Sequence, residues 1–336
     1  MNEKGLDALS HTWAVVLAGG EGVRLRPLIR RLYGEARPKQ FAALLGARSL
    51  LRQTLDRVRL LLPPDRTVVV TRSDHDGYVA EALGGAHVRR VLAQPEDRGT
   101  AAGILLAVHW IHRQDPNALV TVFPSDHFVS EEEAFMELVG DLARLAGEHP
   151  KWIGLLGATP TEPDPDYGWI EPGEVVAWDA AGAPISRVRQ FWEKPSSLAA
   201  GTLMEKGWLW NTFVFASKAS LLVELAGHLL PGLERRLAGA APFLDTGMEA
   251  WALQHAYALA RGASFSRALL ERCPDSLVVC RLPALAWSDW GTQERVLASL
   301  RQARVLPPWF EESDLPAVPP TGHSVGHRSI SGDHPA

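Results

Sequence analysis

Val15-Val16-Leu17-Ala18-Gly19-Gly20-Glu21-Gly22-Val23-Arg24-Leu25-Arg26-Pro27-Leu28, followed by Arg37-Pro38-Lys39-Gln40-Phe41, decides how this chain is read. A branched apolar run that breaks into glycines predicts a buried strand delivering a loop. Glycines let backbone N–H groups approach an anion, and Arg24, Arg26 and Lys39 supply charge for phosphate. Neither common nucleotide fingerprint fits. Leu25 stands where the dinucleotide pattern needs its third glycine, and no Gly-Lys-Ser/Thr closes a Walker loop. The stretch therefore predicts a polyphosphate cradle of another kind.

Outward from this loop, short apolar runs alternate with helical spacing. Trp13–Ala18, Thr67–Thr71, Leu119–Phe123 and Trp152–Gly157 predict buried strands, and Leu50–Leu61, Tyr78–Leu83, Thr100–His112 and Glu131–Ala146 predict helices between them. The alternation predicts an α/β fold, a doubly wound, Rossmann-like, mostly parallel sheet, with ligands beyond the carboxyl ends of its strands. After residue 150 the texture changes. Tyr167–Glu171, Val175–Trp178, Ile185–Trp192, Phe213–Ala216 and Leu277–Leu282 read as strands of a mixed region, around a helical stretch Lys218–Ala238. Of twelve tryptophans, Trp152, Trp178 and Trp251 are assigned to core packing. The division that results is an N-terminal extension 1–12 and a domain 13–305 whose halves meet near 150. A tail, 306–336, is rich in Pro, Ser, Gly and His and is expected to be disordered.

Composition narrows the function class. A formal net charge of -5 argues against a nucleic-acid binder. Two cysteines, Cys273 and Cys280, build neither a disulfide framework nor a zinc cluster. The apolar run at residues 13–18 is too short for a signal-peptide core or a membrane span, so a cytoplasmic enzyme is expected.

Two carboxylates stand out. Asp126 follows an apolar strand in Pro124-Ser125-Asp126-His127, and Asp289 lies in Trp287-Ser288-Asp289-Trp290-Gly291-Thr292. Acids at two strand ends suit one Mg2+ whose remaining ligands are phosphate oxygens; a lone His127 beside one acid makes zinc the poorer match. The local pattern at Asp126 also suits an Asx turn or helix cap. Glu193 and Lys194, in Phe191-Trp192-Glu193-Lys194-Pro195, pair a hydroxyl acceptor with a compact charge for a second phosphate.

These motifs carry a family resemblance. The chain resembles the sugar-1-phosphate nucleotidyltransferases, and among them most the mannose-1-phosphate guanylyltransferases. The signature loop matches Leu17–Pro27, Pro-Lys-Gln-Phe matches Pro38–Phe41, and Pro-Ala-Asp-His resembles Pro124–His127. Tyr167–Glu171, Phe191–Pro195, Trp210-Asn211 and Trp287–Asp289 match the later motifs in family order. The resemblance implies the nucleotide-diphospho-sugar transferase fold. It also implies that Leu17, Ala18, Gly19, Gly20, Gly22, Arg24, Lys39, Gln94, Arg98 and Thr100 hold the nucleotide. Tyr167, Gly168, Glu193, Lys194 and Asn211 would hold the sugar phosphate, and Asp126 and Asp289 the Mg2+. Arg24, Lys39, Asp126 and Lys194 would act on the reacting phosphates, with in-line attack of the sugar phosphate on the α-phosphorus of the nucleoside triphosphate. A homodimer is compatible with the family. No cupin-like or hexapeptide-repeat region follows residue 300, so a fused isomerase or acyltransferase is not expected.

Three departures mark the specificity region. Gln94-Pro95 stands where guanylyltransferases show Glu-Pro, Phe213 where the family has glycine after Trp-Asn-Ser/Thr, and Ser266 where an aspartate is expected. Guanine offers N–H donors that a carboxylate accepts well, whereas an amide both donates and accepts. Three functions result: synthesis of GDP-mannose from GTP and mannose 1-phosphate; thymidylyl or uridylyl transfer to glucose 1-phosphate; or a catalytically silent sugar-nucleotide-binding regulatory protein.

Overall fold

The strands are β1 (Thr12–Leu17), β2 (Thr67–Arg72), β3 (Arg90–Gln94), β4 (Leu119–Pro124), β5 (Phe128–Val129), β6 (Ile153–Ala158), β7 (Gly168–Trp178), β8 (Pro184–Glu193), β9 (Leu209–Lys218), β10 (Leu277–Arg281) and β11 (Trp287–Ser288). In the computed structural model, which describes residues 9–283, 285–305, 307, 309 and 310, nine of them form one sheet in the order β3-β2-β1-β4-β9-β6-β10-β8-β7. β1 pairs in parallel with β2 and β4, and β2 with β3, while β8 and β9 run antiparallel to their neighbours. The sheet is thus the mixed, mostly parallel one expected. β11 and β5 form a separate two-stranded ribbon.

Alternation along β1 shows why the sheet needs cover on both sides. Trp13 and Val15 enter one core with the helix Gly99–Gln114, while Ala14, Val16 and Ala18 enter the other with the helices Leu50–Val58 and Glu132–Glu148. Gly99–Gln114 is buried on all sides because the helices Ala219–Leu229 and Pro231–Ala240 pack over it, and His109 meets Glu234 there at 3.0 Å. A third, smaller cluster joins Leu28 and Ile29 to Trp290, Val296 and Leu300, with Phe128 stacked on Trp290. It ties the N-terminal loop region to the helix Gln293–Gln302.

Several expectations are corrected. β3 has no counterpart among the expected strands, because only Leu92 and Gln94 of its residues are buried at this sheet edge and no apolar run marks it. The two strands expected at 167–171 and 175–178 are one strand with register shifts around Pro172 and Val175. The helical stretch 218–238 is broken at Pro231, where a missing N–H is tolerated only in a helix's first turn. Trp178 and Trp251 are 66% and 51% exposed and contribute no core; half-buried Trp152 stacks on His149 under the Arg187 guanidinium. His11 pairs with Asp115 at 2.7 Å, so the end of the expected extension is docked, and Trp309 donates to the Leu44 carbonyl beyond the boundary set at 305. Most of the expected tail, 311–336, lies outside the described residues. Among the described residues no helix is long and apolar enough to cross a membrane.

Candidate active site

Chain order turns back between β1 and β4: β2 and β3 lie to one side, β9 and β6 to the other. A crevice opens beyond the carboxyl ends of strands at such a point. Here it is a cavity of about 390 Å3. Leu17, Gly19, Gly20 and Arg24 reach it from the loop after β1, Gln94 from the end of β3, Thr100 from the following helix, and Asp126 from the turn after β4. Tyr167, Gly168, Glu193, Lys194 and Asn211 face it from the far half of the sheet, and Asp289 from the end of β11. One cavity thus gathers residues from almost the whole length of the domain.

The glycine loop is built on Lys39 and Gln40. Gln40 Nε2 donates to the carbonyls of Ala18 and Gly20, both at 2.8 Å, which holds the loop open. Gly22 takes a left-handed backbone, φ 57°, directly against the Lys39 side chain. Lys39 is 3% exposed and does not line the cavity; its Nζ reaches the floor from beneath, 3.0 Å from Asp126 and donating to the Asp289 carbonyl. Burial pushes the Asp126 carboxyl upward, but Lys39 and His127 outweigh it, so the group stays below the ordinary carboxylate range and ionised. Burial likewise lowers His127 to about 4, leaving it neutral.

Asp289 is more crowded. Its Oδ1 accepts from the Tyr167 hydroxyl at 2.8 Å and from the Gly291 N–H at 3.0 Å, and Arg295 Nη1 is 3.0 Å from both its oxygens. Arg24 Nη2 stands 3.9 Å away while its Nη1 pairs with Asp166. Arg295, whose guanidinium lies over the Tyr167 ring and also pairs with Asp164, is lowered to about 10 by burial and by Arg24. Arg295 and Asp166 carry no signal in the sequence, because their partners Asp164 and Arg24 lie 131 and 142 positions away. The carboxylates of Asp126 and Asp289 nonetheless border the same cavity and offer an all-oxygen donor set, which suits a hard divalent cation.

The far end has its own constraints. Lys194 adopts a left-handed backbone, φ 51°, with its N–H donating to the Tyr167 carbonyl, and this turn directs it to the cavity. A Cβ at Gly168 would lie 2.7 Å from Glu193 Oε2 and 3.0 Å from Phe191 Cζ, so a larger residue there would displace that carboxylate. Burial raises the Glu193 pKa against the opposing pull of Lys194 and Arg267. Phe213, in the place of the family's glycine, sits at φ 62°, a backbone that glycine accepts without strain, and it borders the cavity together with Ser266. Asn211 Oδ1 caps the Phe213 N–H at 3.1 Å.

Four expected nucleotide contacts, Ala18, Gly22, Lys39 and Arg98, lie outside the cavity wall. Ala18 is fully buried, its N–H bonded to Val70 and its carbonyl to Gln40. Arg98 donates from Nε to the Tyr257 carbonyl at 3.0 Å and from Nη2 to Glu96, so it braces the wall from behind.

A model of the nucleotidyl transferase family matches residues 13–303. The chain belongs to the nucleotidyl transferase family. Within it, the xanthan biosynthesis protein XanB of Xanthomonas campestris is 31% identical over 297 residues, 86% of this chain and 59% of that protein. A mannose-1-phosphate guanylyltransferase of Sinorhizobium fredii is 30% identical over 84% of this chain and 53% of its own length. The chain thus spans about half the length of these curated relatives. A crystal structure from Thermus thermophilus, described as a mannose-1-phosphate geranyltransferase, superposes with a TM-score of 0.71 at 32% identity, covering 86% of this chain and 79% of that one.

Proposed function

We propose that the protein transfers a nucleotidyl group from a nucleoside triphosphate to a sugar 1-phosphate, releasing pyrophosphate, with GTP and mannose 1-phosphate as its pair and GDP-mannose as product. The observation that carries this is the meeting of two cations in one cavity: Arg24 at one end, near an Asp126 held from beneath by Lys39, and Lys194 beside Glu193 at the other. Two phosphates of different molecules brought to one place need this separation of charge. The names of the relatives supply the substrate pair.

Arg24 binds the triphosphate and neutralises charge that builds on the α-phosphate and the leaving pyrophosphate, while Lys39 acts from beneath the cavity by holding Asp126. Lys194 grips the sugar phosphate, whose oxygen attacks the α-phosphorus in line, while Glu193 and Asn211 accept and donate to sugar hydroxyls. No protein nucleophile is required, because the attacking phosphate oxygen is already ionised. Asp126 and Asp289 would hold a Mg2+, which when bound supplies further neutralisation of phosphate charge.

Gln94 in place of glutamate favours a second reading, thymidylyl or uridylyl transfer to glucose 1-phosphate, since its amide suits a pyrimidine edge equally well. Pyrophosphate release across GTP, dTTP and UTP with mannose and glucose 1-phosphates tests both. Turnover restricted to GTP with mannose 1-phosphate supports the first reading, and its absence with that pair refutes it.

A further inference from the structure

The base end of the cavity holds a buried contact that the proposed chemistry does not use. With the phosphate residues at the centre and Glu193, Lys194 and Asn211 at the far side, the edge by β2 and β3 remains for the base. Its wall contains Gly19, Gly103 and the side chain of Gln94, which is only 7% exposed. A Cβ on Gly19 would lie 3.2 Å from Gln94 Nε2, and one on Gly103 would lie 3.2 Å from both Nε2 and Oε1. The amide is therefore clamped between two glycine backbones and has little room to swing.

Its orientation follows from its partners. The Thr71 carbonyl can only accept, so the amide atom 3.3 Å from it is the donor, Nε2. Oε1 is then turned to Tyr257, whose hydroxyl donates to it at 3.1 Å. Tyr257 is fully buried in the helix Glu249–Ala258, and its carbonyl is held by Arg98. Burial also keeps the phenol neutral and a donor by raising its pKa. One Nε2 hydrogen is committed to Thr71, which leaves the other for a ligand.

We propose that Tyr257 is a positioning residue for base selection: by occupying Gln94 Oε1 it presents the Gln94 amide to the base as a donor. The site then favours bases with a carbonyl at the read position, as in guanine and uracil, over adenine and cytosine, which place an amino group there. Two donors facing each other in a dry pocket leave both unpaired, and that penalty gives sites built on hydrogen bonds their discrimination. Thr71 sets the orientation and Tyr257 saturates Oε1; without the Tyr257 hydroxyl, Oε1 is freed to accept from an amino-bearing base and Thr71 alone is left to hold the amide. The inference rests on the nucleotidyl-transfer reading for the placement of the base.

The test is equilibrium binding of GTP, UTP, ATP and CTP to the full chain, alongside kcat and KM for pyrophosphate release. In the unaltered protein the favoured carbonyl-bearing nucleotide is expected to bind at least about 100-fold more tightly than its amino counterpart. Y257F should shrink that ratio at least tenfold, through KM rather than kcat, with a melting temperature showing that the fold survives. In a Q94M background Y257F should leave the ratio unchanged, which a merely structural role for the ring would not produce. Q94M alone should lower discrimination as Y257F does, and folded Q94M with the ratio intact overturns the proposal even where Y257F is not recovered folded. A ratio in folded Y257F within twofold of the unaltered protein overturns the proposal, as does an equal effect of Y257F in the Q94M background. Loss of turnover with binding selectivity intact refutes the transfer reading instead, while absence of nucleotide binding refutes both.

Discussion

Replacing Gly22 with alanine probes the joint on which the phosphate end is built. The residue lies at φ 57°, where a non-glycine residue costs about 1–2 kcal/mol. A Cβ there would stand 2.5 Å from Lys39 Cβ, 3.1 Å from its N and 3.3 Å from its Cα. Those atoms belong to the backbone or its first substituent, so no rotamer change removes the clash and Lys39 or the loop must move by roughly half an ångström. Lys39 Nζ holds Asp126 at 3.0 Å, and displacements of about 1 Å at a reacting centre cost roughly 100-fold. Gly22→Ala should therefore lower kcat/KM for pyrophosphate release by roughly 100-fold and lower stability by about 1–3 kcal/mol. Gly46→Ala is the control: φ is 67° there and nothing lies within 4 Å of the added methyl, so it should lose stability through backbone strain and keep its activity. If Gly22→Ala retains kcat/KM within threefold while Gly46→Ala is destabilised as much, coupling of the loop to Lys39 is refuted.

Asp126→Ala should abolish Mg2+-dependent turnover and leave the Lys39 ammonium, 4% exposed, with only a carbonyl partner; a loss of roughly 2–3 kcal/mol in urea unfolding is expected, less than for a fully buried pair because Asp126 is 30% exposed. Retained turnover would exclude Asp126 as the metal ligand. Glu193→Gln tests the far end through pH. Burial raises the native Glu193 pKa above its unfolded value, so the native state binds more protons than the unfolded one and stability falls as pH rises through that window. The glutamine variant should lose this decline, gaining stability relative to the parent on the alkaline side, and parallel stability–pH curves would count against a buried Glu193.

Several residues of the site are legible one by one because they sit where a strand ends. The apolar run of β1 and the glycines after it announce a loop, and Asp126 follows β4 in the same way. β3 is not legible, since an edge strand covered on part of its surface lacks the apolar run that betrays a central one. Trp178 and Trp251 mislead because indole composition says nothing about which face of an element meets the core. Arg295 and Tyr257 carry no local signature: an arginine in a C-terminal helix and a tyrosine in a mid-chain helix become site residues only through Asp289 and Gln94.

Periodicity and turn chemistry are local properties, so the residue order suffices for the strand–loop–helix alternation, the doubly wound sheet and the candidates for phosphate handling. Only folding in three dimensions puts Lys39 beneath the cavity, working through Asp126, and shares Asp289 among Tyr167, Gly291 and Arg295. The same holds for the left-handed backbones of Lys194 and Phe213 and for the Gln94 amide held between Thr71 and Tyr257. Each of these depends on distance and orientation between segments far apart in the chain, which are set only when the two halves of the sheet close on one another.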